Sequence, residues 1–397
     1  MNTERILEVA ERLSEQVIAW RRDLHQMPEL GVDLPKTSAY VMKQLDEMGV
    51  EYESGVGLEH AIVAVIKGKE EGKTVALRAD MDALPVKETT GLDFQFAGDR
   101  MHACGHDAHT AQLLGAVKAI KELEGEFKGT VKFLFQPAEE ISAGAEPMVK
   151  AGVLKNPDVD YIIGLHDGNI SPDMEPGRFA ISTGAMMACL DRFTLKVIGK
   201  GSHGAYPHQS HDTLVIASLI VVGIQEIIAR EIDPVEPGVI TLGKFHAGST
   251  YNVIPGEAEI EGTLRAVTQE TRDYLAKRIG EVAEGIAKTY KATVEYDYLG
   301  GAPPVINDHE VATRVHDSIA KVLGEDRVDY MERPVMGGED FAYYLEQVPG
   351  CFIFMSNPLP IDGTVYPHHN PKFALNEANF KDALAAFLQI TFDLLEA

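Results

Sequence analysis

Gly129-Thr130-Val131-Lys132-Phe133-Leu134-Phe135, with the Gln136-Pro137-Ala138-Glu139-Glu140 that follows, decides how the chain is read. The first seven residues are a short apolar run behind a glycine, the pattern of a fully buried strand. Two neighbouring carboxylates then end it. Such a pair repels itself and usually lies on a solvated loop; at the end of an apolar strand it needs a cation. One of the two would ligate a metal, and the other, pointing the opposite way, would serve an activated water as general base.

Other strand ends repeat the theme. Ala61 to Ile66 and Thr74 to Leu77 are short β-rich runs bounded by glycines, and the second leads into Arg78-Ala79-Asp80-Met81-Asp82. Tyr161-Ile162-Ile163-Gly164-Leu165 is another strand, and it ends in His166. Open α/β sheets place their sites at such ends, although Asp80 and Asp82 read equally well as turn or cap residues.

Between these strands lies Met101-His102-Ala103-Cys104-Gly105-His106-Asp107-Ala108-His109. A thiolate and an imidazole two positions apart, Cys104 and His106, can reach one borderline-soft divalent ion. Because an apolar helical pattern from Thr110 to Leu123 follows, these groups sit at the start of a helix. Alone, the spacing also fits a packed thiol beside a surface imidazole. Three strand ends carrying Asp, Glu-Glu and His, together with this turn, are hard to obtain from core packing.

The rest of the chain sets bounds. Its 397 residues are long for one core and predict two domains. A net charge of -25, from 36 basic and 61 acidic residues, repels phosphate backbones and anionic membranes, so neither nucleic acid nor membrane is an expected partner. No apolar run is expected to approach the roughly 20 residues of a membrane span, and no signal peptide is evident. Cys104, Cys189 and Cys351 are too few for a disulfide framework, which fits a reducing cytoplasm. Cys189 and Cys351 read as small buried side chains, and His208, His211 and His246 as surface or loop histidines.

Helices are predicted near 4–26 and at Pro35 to Met48, the latter closed by Gly49. From about 186 to 300 the order becomes strand (Phe193 to Ile198), helix (Thr213 to Ala229), strand (Val239 to Phe245), long strand (Tyr251 to Val267), helix (Thr271 to Thr289) and strand (Ala292 to Tyr298). That run predicts a separate four-stranded antiparallel sheet with two helices on one face. From 301 the chain returns to the first domain, with a helix at Asp308 to Val322, a buried strand at Cys351 to Met355 and a last helix at Glu377 to Leu395. In Met336-Gly337-Gly338-Glu339-Asp340 the paired glycines allow close backbone approach to a ligand. Glu339 and Asp340 also suit a helix-starting turn, where they would complement the dipole.

Met101 to His109, Gln136 to Glu140 and Gly164-Leu165-His166 together resemble the amidohydrolase branch of the two-metal aminoacylase and carboxypeptidase superfamily. Gly199 to His208, Tyr251 to Pro255, Gly262 to Arg265, Met336 to Phe341 and His368 to Phe373 extend the likeness in the same order. The branch includes N-acyl-amino-acid amidohydrolases, hippurate hydrolases, auxin-conjugate hydrolases and N-acetyldiaminopimelate deacetylases.

The resemblance implies that Cys104, His106, Glu140, His166 and His369 hold two divalent metals, with Glu139 as general acid and base. His369 is preferred to His368 because it precedes the Asn370-Pro371 turn. It further implies an α/β fold with a mixed-sheet catalytic domain (1–185 and 301–397) and an inserted α+β lid and dimerisation domain (186–300). His203 would polarise the scissile carbonyl, commonly across a homodimer, while Asn252 and Arg265 would contact substrate; Gly338, from the paired-glycine reading, is a further substrate-contact candidate. His203 as a turn residue and Arg265 paired with a structural carboxylate are the plainer readings.

Two departures matter. The wider superfamily has a metal-binding histidine in a His-x-Asp motif where this chain has Arg78-Ala79-Asp80, which leaves Asp80 to orient the cluster from behind the ligands. Asp167-Gly168-Asn169 follows His166 where the branch has apolar or aromatic residues. The expected activity is hydrolysis of N-acyl amino acids; a dipeptidase or carboxypeptidase with the same site is the alternative, and a non-catalytic metal-dependent binding protein a weaker one. Cys104 suits zinc, while the carboxylate and imidazoles also admit manganese, nickel or cobalt.

Overall fold

The computed structural model describes residues 1–170 and 174–397. They divide into two compact units, one of 1–186, 306–335 and 340–397, the other of 187–305 and 336–339. Residues 301–305 and 336–339 therefore lie with the second unit.

An eight-stranded mixed sheet organises the first unit. Its order is Glu51–Ser54, Ile62–Lys67, Thr130–Gln136, Thr74–Asp80, Tyr161–Gly168, Gly350–Ser356, Phe179–Ile181 and Val328–Tyr330. The four strands from 130–136 to 350–356 run parallel, and those nearer the edges bring in antiparallel pairs. Parallel strands are covered on both faces, so the 74–80 strand is buried at every residue.

The helices over this sheet follow from their apolar spacing. In the helix Thr3–His25, Ile6, Val9, Ala10, Leu13, Val17, Trp20 and Leu24 form the buried stripe, and the Asn2 side chain accepts the Glu4 N–H as N-cap. The helix Pro35–Met48 begins on a proline and stops at Gly49, whose φ of +64° closes it. The helix His106–Glu122 packs against the sheet, the 3–25 helix and the C-terminal helix Phe380–Leu395, and is buried almost all round. At Gly115 a Cβ would stand 2.7 Å from Val17 Cγ2, so the close approach of the two helices depends on its having none.

The second unit has a four-stranded antiparallel sheet in the order Gly238–Ala247, Glu257–Ala266, Asp191–Ile198 and Thr293–Leu299. The helices Thr213–Glu226 and Gln269–Thr289 pack on it. The expected long strand from 251 to 267 is broken: Val253–Ile254 pairs with Ser202–His203, and Glu257–Ala266 joins the main sheet of this unit. Pro255, which has no N–H for a ladder, stands at the break.

The expectation of no span-length apolar run is also corrected. Thr213–Glu231, 19 residues containing an 18-residue window of mean hydropathy 1.8, is long and apolar enough to cross a membrane by length and composition. Here it lies on the sheet, with Ile216, Ala217, Ile220 and Ile224 buried and Leu214, Val215 and Val222 exposed.

Candidate metal centre

Segments far apart in sequence meet at the ends of the central strands of the first unit. After the 130–136 strand, Ala138 takes φ +64° and Glu139–Ile141 make a single 3-10 turn, closed by Ser142 at φ +51°. Asp82 holds that turn, accepting the Glu139 N–H at 3.0 Å on one oxygen and the Glu140 N–H at 3.2 Å on the other. A carboxylate thus satisfies two donors that a helical start leaves unpaired.

Gly105, at φ +88°, lets the chain turn from Cys104 directly into the helix that His106 begins. His369 is itself left-handed, at φ +64°, and its N–H donates to the Ala103 carbonyl at 2.8 Å. That bond ties the 369 loop to the cysteine turn.

The donor atoms converge at ligand-like spacings. Cys104 Sγ lies 3.5 Å from His166 Nε2, His369 Nε2 lies 3.5 Å from Glu140 Oε2, and His106 Nε2 lies 3.8 Å from Glu140 Oε1. Cys104 groups with His106 and His166, and also with Glu140 and His369; His106, Glu139 and Glu140 make a further group. Ligands about 2.0–2.3 Å from one tetrahedral ion stand about 3.3–3.8 Å apart, so these spacings fit.

Side-chain chemistry fits as well. His106 is fully buried and neither ring nitrogen has a hydrogen-bond partner, and the buried Glu140 Oε1 has none either. His166 donates from Nδ1 to the Asp167 carbonyl at 2.9 Å, which leaves the Nε2 lone pair facing Cys104. Burial holds His166 well below its ordinary pKa and so uncharged. The charge balance tells the same story: burial opposes a charge on His106, yet Asp80, Asp82 and Glu140 push its pKa up to about 10. Burial raises Glu140 to about 7. A carboxylate-rich pocket with unpartnered lone pairs is what a bound cation would relieve.

His368 stands apart from its neighbour. Its Nε2 donates to the Asp167 carbonyl at 3.0 Å, the acceptor His166 also uses. His109 is occupied too, donating from Nδ1 to Asp80 at 2.6 Å and accepting the Asp167 N–H on Nε2 at 2.9 Å.

Behind the donors, Asp80 gives one oxygen to His109 and the other to Arg78 Nη1 at 2.7 Å. Arg78 also donates from Nε to Gln136 at 2.9 Å and from Nη2 to Asp340 at 3.0 Å. Asp340 does more than complement a helix dipole. It is wholly buried and further accepts Gln136 Nε2 and the N–H groups of Gly144 and Ala145. Arg78, Asp82 and Asp340 are the residues that sequence reasoning underrated. The alternation of Asp80 and Asp82 beyond a buried strand was the available signal.

The remaining predicted residues belong to the second unit. His203 pairs with Val253 in a two-stranded ladder, and the Asn252 carbonyl accepts the Gly204 N–H at 2.8 Å, which sets His203 and Asn252 side by side. Arg265 is partly buried, its Nη1 3.3 Å from the Leu264 carbonyl and 3.5 Å from that of Cys189. Gly338 is accounted for locally by packing, since a Cβ there would lie 2.9 Å from Leu190 Cβ.

Residues 76–393 match Peptidase family M20/M25/M40. The chain belongs to this family. N-acetyl-L-cysteine deacetylase of Bacillus subtilis (strain 168) is 40% identical over 367 residues, 92% of this chain and 85% of that one. Thermostable carboxypeptidase 2 of Saccharolobus solfataricus is 38% identical over 395 residues, 98% of each chain. Among solved structures, the Bacillus subtilis YXEP protein, described as a dinuclear metal binding peptidase from the M20 family, superposes with a TM-score of 0.84 at 35% identity, covering 97% of this chain and 99% of that one. M20 enzymes are hydrolases that use two divalent metal ions, and the donors assembled here suit that use.

Proposed function

We propose that this M20 hydrolase cleaves the amide bond of N-acyl amino acids, with Cys104, His106, Glu140, His166 and His369 holding two divalent ions and Glu139 moving the proton. One observation carries the reading: the five donors fall into overlapping groups in which both His106 ring nitrogens and Glu140 Oε1 have no hydrogen-bond partner, and Glu139 Oε2 lies 4.0 Å from His106 Nε2. The deacetylase at 40% identity supports the choice of substrate class.

When bound, the two ions supply Lewis acidity, polarising the amide carbonyl and making a water acidic enough to give up a proton near neutral pH. Glu139 accepts that proton on a carboxylate oxygen and returns it to the departing nitrogen, so the products are a carboxylic acid and an amino acid. Asp82 fixes the backbone from which Glu139 works. Asp80, held by Arg78, keeps His109 and its neighbours in place.

His203 supplies the donor for the carbonyl oxygen. Its Nδ1 accepts the Ala205 N–H at 3.0 Å, so the neutral ring carries its proton on the exposed Nε2, the form needed to donate to a developing oxyanion. Arg265, with Asn252 and Gly338, meets the substrate carboxylate, which a guanidinium binds by a two-pronged bond.

The working form is a homodimer in the cytoplasm. The 238–247 strand has an open edge, and the exposed Leu214, Val215 and Val222 add an apolar surface; two copies related by a two-fold axis can cover both.

The carboxypeptidase reading is kept because a relative of that name matches 98% of the chain. A panel of N-acetyl-, N-benzoyl- and indoleacetyl-amino acids with several dipeptides, run after reconstitution with zinc, manganese, nickel or cobalt, separates the two. Turnover confined to dipeptides selects the carboxypeptidase, and turnover of nothing in the panel selects a binding role.

A further inference from the structure

A second charged cluster lies in the core of the first unit, outside the reacting groups. Asp107 is the second residue of the 106–122 helix, directly after His106 and three positions after Cys104. Its Oδ2 lies 2.8 Å from Arg21 Nε and 2.6 Å from His25 Nδ1, both on the 3–25 helix. The other nitrogen of His25 lies 3.0 Å from Glu88 Oε2. All four side chains are at most 2% exposed.

The geometry fixes the charge on His25. A neutral imidazole has one N–H and cannot donate to carboxylates at both nitrogens; an imidazolium can. Burial and the neighbouring Arg21 oppose that charge, but Asp107 and Glu88 outweigh them and raise the His25 pKa.

Each member is braced in turn. Arg21 Nη1 donates to Glu377 at 3.1 Å, and Glu88 accepts the Thr90 hydroxyl and the Phe96 N–H. The Phe94 ring lies 4.7 Å from Arg21 Cζ and meets the His25 ring edge-on at 5.3 Å. His102, whose ring lies 6.3 Å from that of His25, is kept uncharged by burial, and Arg22 pairs with Glu377 beside Phe94.

Buried ion clusters of this kind are a poor route to stability, since apolar residues of similar volume serve as well or better. What this one does is grip one carboxylate at the head of a particular helix. We propose that Arg21 and His25 are positioning residues for the metal centre, clamping Asp107 so that the Cys104–Gly105–His106 turn presents its thiolate and imidazole in a single arrangement. The inference rests on the reading of Cys104 and His106 as ligands.

Cobalt(II) provides the test. Metal-free protein is titrated with cobalt(II) against a competing chelator, following the near-ultraviolet thiolate-to-cobalt band and the visible bands. His25→Gln and Arg21→Met are expected to weaken cobalt binding about 10- to 100-fold, the range typical for partners that orient ligands, and to shift the visible bands. Arg21→Lys, which keeps the charge, should recover part of both. Leu13→Ala, in the core-facing stripe of the same helix, should lower the melting temperature and leave affinity and spectrum alone.

If His25→Gln does not fold, Glu88→Gln takes its place, with a smaller change of the same sign. Folded variants with wild-type affinity and bands overturn the clamp, as does a Leu13→Ala protein whose spectrum shifts equally. A wild type without the thiolate band overturns the ligand reading and the clamp with it; a wild-type band that none of the variants moves removes the clamp alone.

Discussion

Each unit buries a carboxylate, and the two are treated in opposite ways. Asp191, in the second unit, is wholly buried and fully engaged: Arg272 Nε at 2.8 Å, Arg272 Nη2 at 2.7 Å, the Tyr298 hydroxyl at 2.7 Å and the Gly301 N–H at 2.8 Å. Glu140, in the first, has one oxygen with no hydrogen-bond partner and faces His106, which has none either. A complete set of partners is a fastening, whereas a carboxylate oxygen and an imidazole nitrogen 3.8 Å apart, neither with a hydrogen-bond partner, suit a cation. Burial and charge alone do not distinguish the two. The hydrogen-bond inventory does.

The largest expected effect tests the incomplete side. Glu139→Gln should lower kcat by about 100- to 10,000-fold, the usual scale of a general base, with bound metal unchanged by elemental analysis. Turnover that survives the change removes Glu139 from the proton path.

On the complete side, Asp191→Ala strands a mostly buried guanidinium and should cost about 3–5 kcal/mol, as breaking a buried pair does, read by denaturant unfolding. Metal content at neutral pH should not move. An Asp191→Ala protein as stable as wild type would show that the full set of bonds fastens nothing.

The same carboxyl predicts a pH dependence. Burial alone would raise its pKa, but the hydrogen bonds from Arg272 and Tyr298 and the Arg272 charge hold it below the ordinary value. A lowered folded pKa gives stability that is complete above the unfolded carboxylate value of about 3.9 and is lost as pH falls through the folded one. Thermal unfolding between about pH 5 and pH 2 should therefore fall more steeply for wild type than for Asp191→Asn. Parallel curves would mean that Asp191 titrates alike in both states.

How much of this was legible depends on what each residue answers to. Glu139-Glu140, His166 and Cys104-Gly105-His106 could be read from the sequence because donors at the ends of apolar strands have no packing reason to be there. Asp340 could not. Its partner Arg78 lies 262 positions away, and a sequence holds no register between them, so the acid reads only as a complement to a helix dipole at a turn. The second unit has four antiparallel strands and two helices, but the sequence pattern runs one strand through Pro255, because alternation on both sides hides the missing N–H. Asp82 failed for a chemical reason: a short acid after a strand caps backbone N–H groups wherever they occur, and nothing local says that these belong to Glu139 and Glu140.

Asp82 therefore offers the finest test of the comparison, because it is a fully engaged carboxylate that lies within the incomplete site. Asp82→Asn keeps the shape but replaces one acceptor oxygen with an NH2 group, which then faces the N–H of Glu139 or Glu140 as donor against donor. One backbone N–H of the 3-10 turn loses its partner, and the turn loosens where both carboxylates begin. Since the substitution leaves every proposed ligand in place, the expected loss is small, about 10-fold in kcat, at the lower end for partners that orient a metal site. KM should hold, because Asp82 touches no substrate group in this scheme, and stoichiometric metal should still bind. A variant that keeps wild-type kcat would mean that Glu139 and Glu140 hold their positions without support from the backbone beneath them. A variant that loses metal outright would instead place Asp82 among the ligands, and the line between fastened and waiting carboxylates would have to be redrawn through this residue.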